Sequence, residues 1–301
     1  EVHAVRLKRG AGGRGRNGRH RSRLLGMSTC ISARELREYI HSGTRVAVID
    51  ARWSRDRSAY DHYAMAHIPL AAFCDPTYDL VGVPDREHGR NPLPELARVQ
   101  DAVDRWGLTK DTKVVLYDAG DGLFASRAWW ILKWAGLSDV SVLGGGLAAW
   151  EAEGFVTAGG PGNFAQPGDM EVTDGNLPVA DIDDVAEWPA KGVLIDARSR
   201  DRFEGRAERL DLQAGHIPGA INVPARALQN NGRFLPADEI KEKLAEVGVT
   251  SGEQVAVYSG SGLHSSLFIQ AMHEAGMPGA SLYVGGWSQW AGDPARPIVR
   301  L

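Results

Sequence analysis

The apolar run Val255-Ala256-Val257-Tyr258 leads into Ser259-Gly260-Ser261-Gly262 and continues as Leu263-His264-Ser265-Ser266. A buried strand, a glycine-rich turn and a helix start in this order aim successive backbone N–H groups at one point, and such a point holds an anion. Gly260, Gly262, Leu263 and His264 are therefore candidate binding residues through their backbone. The side chain at the end of the strand stands where a reacting atom would sit, and it is the hydroxyl of Ser259. Without an adjacent base a hydroxyl does not ionise near neutral pH and is a weak nucleophile. Two other chemistries are disfavoured by the spacing. A nucleophile elbow needs Gly-x-Ser-x-Gly, and Ser261 has Ser259 where the first glycine belongs. A Cys-x5-Arg phosphate loop needs an arginine at the sixth position after the nucleophile, and that position is Ser265.

The elements that would position this loop occur twice. Ala47-Val48-Ile49-Asp50-Ala51-Arg52 returns as Val193-Leu194-Ile195-Asp196-Ala197-Arg198, and His67-Ile68-Pro69 returns as His216-Ile217-Pro218. Val114-Val115-Leu116-Tyr117-Asp118 returns as Val255-Ala256-Val257-Tyr258-Ser259, and Gly144-Gly145-Gly146 with Trp150 returns as Gly285-Gly286 with Trp290. An offset of about 140–150 residues with the order kept is a duplicated domain, far beyond solenoid periods. Continuous apolar runs at 46–50 and 114–117 suit strands buried on both faces, and 33–41, 93–106 and 126–134 have helical spacing. The class is α/β, in which ligands lie at the carboxyl ends of the strands, where Asp118 and Ser259 fall. Asp50 and Asp196, both at strand ends, read as acceptors for the following turn. The tryptophans at 129, 130, 134, 150, 287 and 290 read as packing residues.

The chain has 301 residues, a net charge of −4 and two cysteines. That length suits two domains, and the mildly acidic balance gives no reason to expect nucleic acid as a partner. Cys30 and Cys74 stand in no metal-ligand spacing, so no metal or other cofactor is implied, and their scarcity fits a reducing, cytoplasmic setting without a disulfide framework. No membrane association is expected. Residues 1–26 are the local exception, with Arg6, Lys8, Arg9, Arg14, Arg16, Arg19, Arg21 and Arg23 among glycines. They are expected to be a disordered basic tail upstream of a start at Met27, with nucleic-acid binding as the weaker alternative. The expected organisation is a first domain over 27–152, a glycine-rich linker over 153–174, and a second domain over 175–301 that carries the loop.

Together, the Asp-Ala-Arg strand end, the Gly-His-Ile-Pro-Gly-Ala segment at 215–220, the Tyr-x-Gly-Ser-Gly loop and the terminal Gly-Gly-Trp-Ser-x-Trp resemble the tandem-domain rhodanese family, the thiosulfate and 3-mercaptopyruvate sulfurtransferases. The resemblance spans about 28–301 and implies two rhodanese-like domains, each a short, mostly parallel sheet flanked by helices, with a non-catalytic first copy. It also implies a small anionic sulfur donor and a thiol or cyanide acceptor. In that family a cysteine stands at the position of Ser259 and carries the sulfur as a persulfide; its thiolate is favoured by the N–H groups at the helix start.

The resemblance further implies that Arg202 and Arg209 meet the donor's carboxylate, since an arginine fork suits that group. It places Ser261 in proton handling with a first-domain histidine, matched here by His67, with Asp56 or Asp61 as the assisting carboxylate. A His-Ile-Pro histidine in both halves equally suits a role in holding the fold, His216 above all. The loop itself has no cation, which is similar to the mercaptopyruvate type. With Ser259 as nucleophile, sulfur relay is expected to be impaired or absent, and a catalytically silent anion-binding or regulatory module is the alternative.

Overall fold

The structure is a computed structural model that describes residues 28–162 and 165–301. The expected basic tail at 1–26 and the start at Met27 lie outside the described residues. The first domain runs β1 (Cys30–Ile31), α1 (Ala33–Ser42), β2 (Val46–Asp50), α2 (Ala59–Met65), β3 (Ala72–Phe73), α3 (Leu96–Arg105), β4 (Lys113–Tyr117), α4 (Leu123–Trp134), β5 (Val140–Leu143) and α5 (Gly146–Ala152). The second runs β6 (Val179–Ala180), α6 (Ile182–Glu187), β7 (Val193–Asp196), α7 (Arg200–Phe203), β8 (Ile221–Asn222), a hairpin of β9 (Gln229–Asn230) and β10 (Arg233–Phe234), then α8 (Ala237–Ala245), β11 (Val255–Tyr258), α9 (Leu263–Glu274), β12 (Ser281–Tyr283) and α10 (Gly286–Trp290). The sheets have equivalent orders, β1-β5-β4-β2-β3 and β6-β12-β11-β7-β8, and every pairing in both is parallel.

Alternation along the strands builds three apolar layers. Val114 and Leu116 of β4, with Val255 and Val257 of β11, face a core that runs continuously from one domain into the other. Val115 and Tyr117 face α1 and α5 on the outside of the first domain, and Ala256 and Tyr258 face α6 and α10 on the outside of the second. Between the domains α4 packs on α9, and both helices are buried nearly all round, Ser126 and Arg127 of α4 and Ser265, Ser266 and Gln270 of α9 included. The six tryptophans at 129, 130, 134, 150, 287 and 290 are all buried. The helix expected from residue 93 begins only at Leu96, because Pro94 holds the residue before it in an extended conformation.

The two halves share one device behind each strand end. Asp50 accepts from Arg52 Nε and from the Tyr117 hydroxyl at 2.7 Å, and that hydroxyl accepts the Ile68 N–H. Arg198 forks onto Asp196 in the same way, and the Tyr258 hydroxyl accepts the Ile217 N–H. Both aspartates therefore tie the His-Ile-Pro segment to the sheet.

The domains also exchange loops. The second-domain hairpin reaches the first domain, where the Gly145 N–H donates to Gly232 O at 3.1 Å and Arg226 pairs with Asp121. In the other direction the 85–91 segment lies on the β12–α10 turn, with the Arg90 N–H on Ser288 Oγ at 3.1 Å. Gly89 makes this approach possible. Its φ is +85°, and a Cβ there would lie 2.7 Å from Gly285 O and from Ser288 Oγ. Gly89→Ala is predicted to lower stability by at least about 1–2 kcal/mol, the cost of left-handed backbone in an L-residue before any clash is counted. Urea denaturation checks this, and an unchanged midpoint would contradict it.

Candidate functional site

The ends of β4 and β11 are equivalent, and the two domains treat them differently. In the first, the Asp118 carboxylate folds back into its own loop. Oδ1 accepts from the N–H groups of Gly120 and Gly122, both at 3.0 Å, and Oδ2 from those of Phe124 at 3.1 Å and Ala125 at 3.2 Å. Four donors on one buried carboxylate are what a glycine-rich turn at a helix start offers an anion. Burial raises the pKa of Asp118, with Asp121 adding to the rise and the N–H bonds opposing it.

In the second domain Ser259 stands at that position, fully buried, and its Oγ has the Ser265 hydroxyl as its hydrogen-bond partner at 3.1 Å. Among the described residues no protein group accepts from the N–H groups of Gly262, His264 or Ser265, the counterparts of Gly122, Phe124 and Ala125. Gly262 has φ +88°, which turns the chain into α9. Leu263 and His264 are the first two residues of that helix and are half-buried. Burial pulls the His264 pKa down to about 4, helped by Arg226 and Arg202, so its ring is neutral at neutral pH.

The first domain closes the other side of the loop. Asn91 Nδ2 donates to Ser261 Oγ at 2.9 Å. Arg127, on α4, is fully buried; it donates to Leu80 O and Asn91 O, and its Nη1 has no partner among the described residues. That nitrogen lies 2.9 Å from where a Cβ of residue 262 would be. Burial lowers its pKa to about 10, which still leaves it charged at neutral pH. A cation in a mostly apolar helix, Leu123–Trp134, was the sequence signal for Arg127. Arg90 and Asn91 had none, since the irregular segment that carries them has no periodic pattern.

The sequence-predicted residues divide accordingly. Ser259, Gly260, Ser261, Gly262, Leu263, His264 and Arg202 converge on one loop. A Cβ at Gly260 would lie 3.0 Å from Arg202 Nη1 and 3.2 Å from Arg90 Nη2. Arg202 itself is held by Glu208 at 2.8 Å and Asp211 at 3.1 Å. Arg209 is exposed, and its guanidinium has no ion pair among the described residues.

His67 does not accompany Ser261. Its Nδ1 lies 2.8 Å from Tyr63 O and its ring stacks on that of Tyr63, while its backbone bridges Ala158. His216 repeats this, with Nδ1 2.7 Å from Phe203 O and its ring on Phe203. The matching environments explain the motif: each histidine fastens its loop to the preceding helix. Asp56 pairs with Ser54 and His62, and Asp61 starts α2, so neither is a partner of His67.

Cys74 is buried after β3, and Cys30 lies beside Gln270 and Glu274, at the far end of α9 from Ser259. Burial raises both thiol pKa values, which leaves both protonated. Among the described residues no group of three His, Cys, Asp or Glu side chains is placed to hold a metal, and no helix is long and apolar enough to cross a membrane.

The contrast between the cradles predicts unequal costs. Asp118→Ala leaves four N–H groups without their acceptor and should lower stability by about 3 kcal/mol or more, since a buried donor left unsatisfied costs about 1–3 kcal/mol. Ser259→Ala should cost about 1 kcal/mol or less, the scale of one neutral hydrogen bond. Denaturant unfolding of both variants measures this; equal losses would contradict it.

Comparison with known proteins bears on the same geometry. The rhodanese-like domain family matches residues 32–153 and 181–293. The Pseudomonas aeruginosa protein named "Probable 3-mercaptopyruvate sulfurtransferase" is 40% identical over 262 residues, covering 84% of this chain and 91% of the relative. The thiosulfate sulfurtransferase of Gallus gallus is 30% identical over 272 residues, covering 86% and 92%. Among solved structures, that of SseA from Escherichia coli, titled as one of the 3-mercaptopyruvate enzymes, superposes with a TM-score of 0.75 at 31% identity, covering 87% of this chain and all of SseA (100%). With the duplicated parallel sheets and the loop at the end of β11, these likenesses make the chain a member of the rhodanese family, built as a tandem of two rhodanese-like domains.

Proposed function

We propose that the second domain holds a sulfurtransferase site that binds a small anionic sulfur donor, thiosulfate or 3-mercaptopyruvate, and that persulfide chemistry is blocked at Ser259. The observation that carries this reading is the pair of cradles: where Asp118 fills the first with its own carboxylate, the loop of the second keeps its N–H donors around an uncharged hydroxyl. Fixed donors aimed at the atom where charge develops are the main electrostatic resource of such a site.

With sulfur at this position the cycle balances. A thiolate attacks the outer sulfur of thiosulfate, the S–S bond of the donor breaks, sulfite leaves with the electron pair, and the enzyme holds Cys–S–S⁻. Cyanide then attacks the outer sulfur, thiocyanate departs and the thiolate returns. From 3-mercaptopyruvate the same sulfur is taken and pyruvate leaves, its methyl group completed by the proton of the thiol. The α9 N-terminus favours the charged thiolate and persulfide forms.

A serine oxygen at the same point lacks both requirements. The neighbour of the Ser259 hydroxyl is another hydroxyl, Ser265 Oγ at 3.1 Å, and among the described residues no base bonds to it to take its proton. From the first domain, Arg127 donates to Asn91 O and Asn91 Nδ2 donates to Ser261 Oγ, which supports a floor for the site on that side. The silent anion-binding module is favoured by the same retained donors beside a lost nucleophile.

The test is thiocyanate formation from cyanide with each donor, on the chain as it stands and on Ser259→Cys. The native chain should form none above the blank. The cysteine variant should turn over at least about 10³-fold faster, given that loss of a nucleophile elsewhere costs on the order of 10⁶ in kcat. Turnover by the native chain would contradict the reading of Ser259, and an inert cysteine variant would contradict the sulfurtransferase reading in favour of the binding module.

A further inference from the structure

The loop 259–264 carries no cation, so the charge of a bound anion must be met from outside it. Two guanidiniums do so, one from each domain. Asp211 stands between them: its Oδ1 takes Arg90 Nη1, and its Oδ2 takes Arg202 Nη2 at 3.1 Å. Glu208 holds the rest of that edge of Arg202, accepting from Nε at 3.1 Å and from Nη2 at 2.8 Å. On the side facing the loop stand Arg90 Nη2 and Arg202 Nη1. Neither has an acceptor among the described residues, and both turn toward Gly260, the residue after Ser259. The side chains of Arg90 and Arg202 are 34% and 22% exposed, so solvent reaches this edge, whereas the Asp211 carboxylate behind them is 4% exposed.

The charges around the loop are nearly balanced. Arg90, Arg127, Arg198 and Arg202 face Asp196, Glu208 and Asp211, Arg226 is paired with Asp121, and His264 is neutral at neutral pH. Four guanidiniums against three carboxylates leave a single positive charge, that of Arg127, which has no acid beside it. A singly charged ligand matches this excess, and a doubly charged one exceeds it.

We propose that Arg90 of the first domain and Arg202 of the second together form the anion-binding lip of the site, donating from Arg90 Nη2 and Arg202 Nη1 to the carboxylate of a singly charged thio-acid, with Asp211 as the strut that sets their spacing. The donor's sulfur then lies toward residue 259 and its carboxylate toward the mouth, so that binding spans the domain interface. This places Arg90, rather than the exposed Arg209, as the partner of Arg202. The inference takes its ligand class from the sulfurtransferase reading and is tested without turnover. An inert Ser259→Cys variant would therefore sink that reading while leaving the lip to be judged by binding.

The experiment is calorimetric titration of the unmodified chain and of single variants with pyruvate, the carboxylate that remains after sulfur transfer, and with thiosulfate. The native chain should bind pyruvate more tightly than thiosulfate. Arg90→Gln and Arg202→Gln should each weaken pyruvate by about tenfold or more, the scale of one charge-assisted hydrogen bond. Arg90→Lys should recover part of that loss, and Asp211→Asn, which keeps both guanidiniums and removes their internal carboxylate, should hold or raise the affinity. A merely structural role for Arg90 predicts the reverse for Asp211→Asn, since either substitution breaks the same tie between the domains; parallel losses would overturn the proposal. So would native affinity in Arg90→Gln, a loss confined to Arg202→Gln and Arg209→Gln, tighter binding of thiosulfate, or no binding of pyruvate by the native chain.

Discussion

Backbone N–H groups at the start of a buried helix need an acceptor, and the organisation of this molecule follows from how its two halves meet that need. In both, a parallel strand ends against a glycine-rich turn, which leaves donors converging where the next side chain emerges. Asp118 supplies a carboxylate from within the chain and closes the first site as a matter of structure. Ser259 supplies an uncharged hydroxyl, and among the described residues the N–H groups of Gly262, His264 and Ser265 have no acceptor. One duplicated fold thus yields a copy whose loop donors are capped by its own carboxylate and one whose donors are not, and the difference rests on one side chain at each strand end.

The first copy also reaches the loop of the second. Its helix α4 packs along α9, and from α4 the Arg127 guanidinium reaches the back of the second loop. Its 85–91 segment, brought close by Gly89, lays Arg90 over Gly260 and Asn91 onto Ser261. The core runs unbroken across the interface, so these groups are held by packing, with solvent screening confined to the mouth. A buried cation without an acid beside it is costly to keep. Arg127 offsets part of that cost with two carbonyl bonds, and the rest is a standing preference for negative charge nearby.

Much of this was legible in the sequence because it is periodic or repeated. The strands at 46–50 and 114–117, the duplication, and the strand–glycine–helix loop all follow from apolar runs and turn residues. For the histidine of His-Ile-Pro the repeat left chemistry and fold both open, and the structure adds the ring contacts of His67 and His216 with Tyr63 and Phe203, which favour the fold. Arg90 and Asn91 were hidden in an irregular segment, where only the tertiary approach at Gly89 assigns them a neighbour. Asp118 was in plain view as the partner of Ser259 in the repeat, yet its role depends on four backbone directions that no spacing encodes.

The account turns on whether the second cradle favours negative charge at position 259. The direct measurement is the thiol pKa of Ser259→Cys, read from thiolate absorbance or from the pH dependence of alkylation, with Cys30 and Cys74 replaced by serine. If the N–H groups of the α9 start and Arg127 act together as described, the thiol should titrate below about 7.5, under the ordinary value of about 8.5. A value at or above the ordinary one would mean that burial outweighs those donors, and the cradle would not be an anion site.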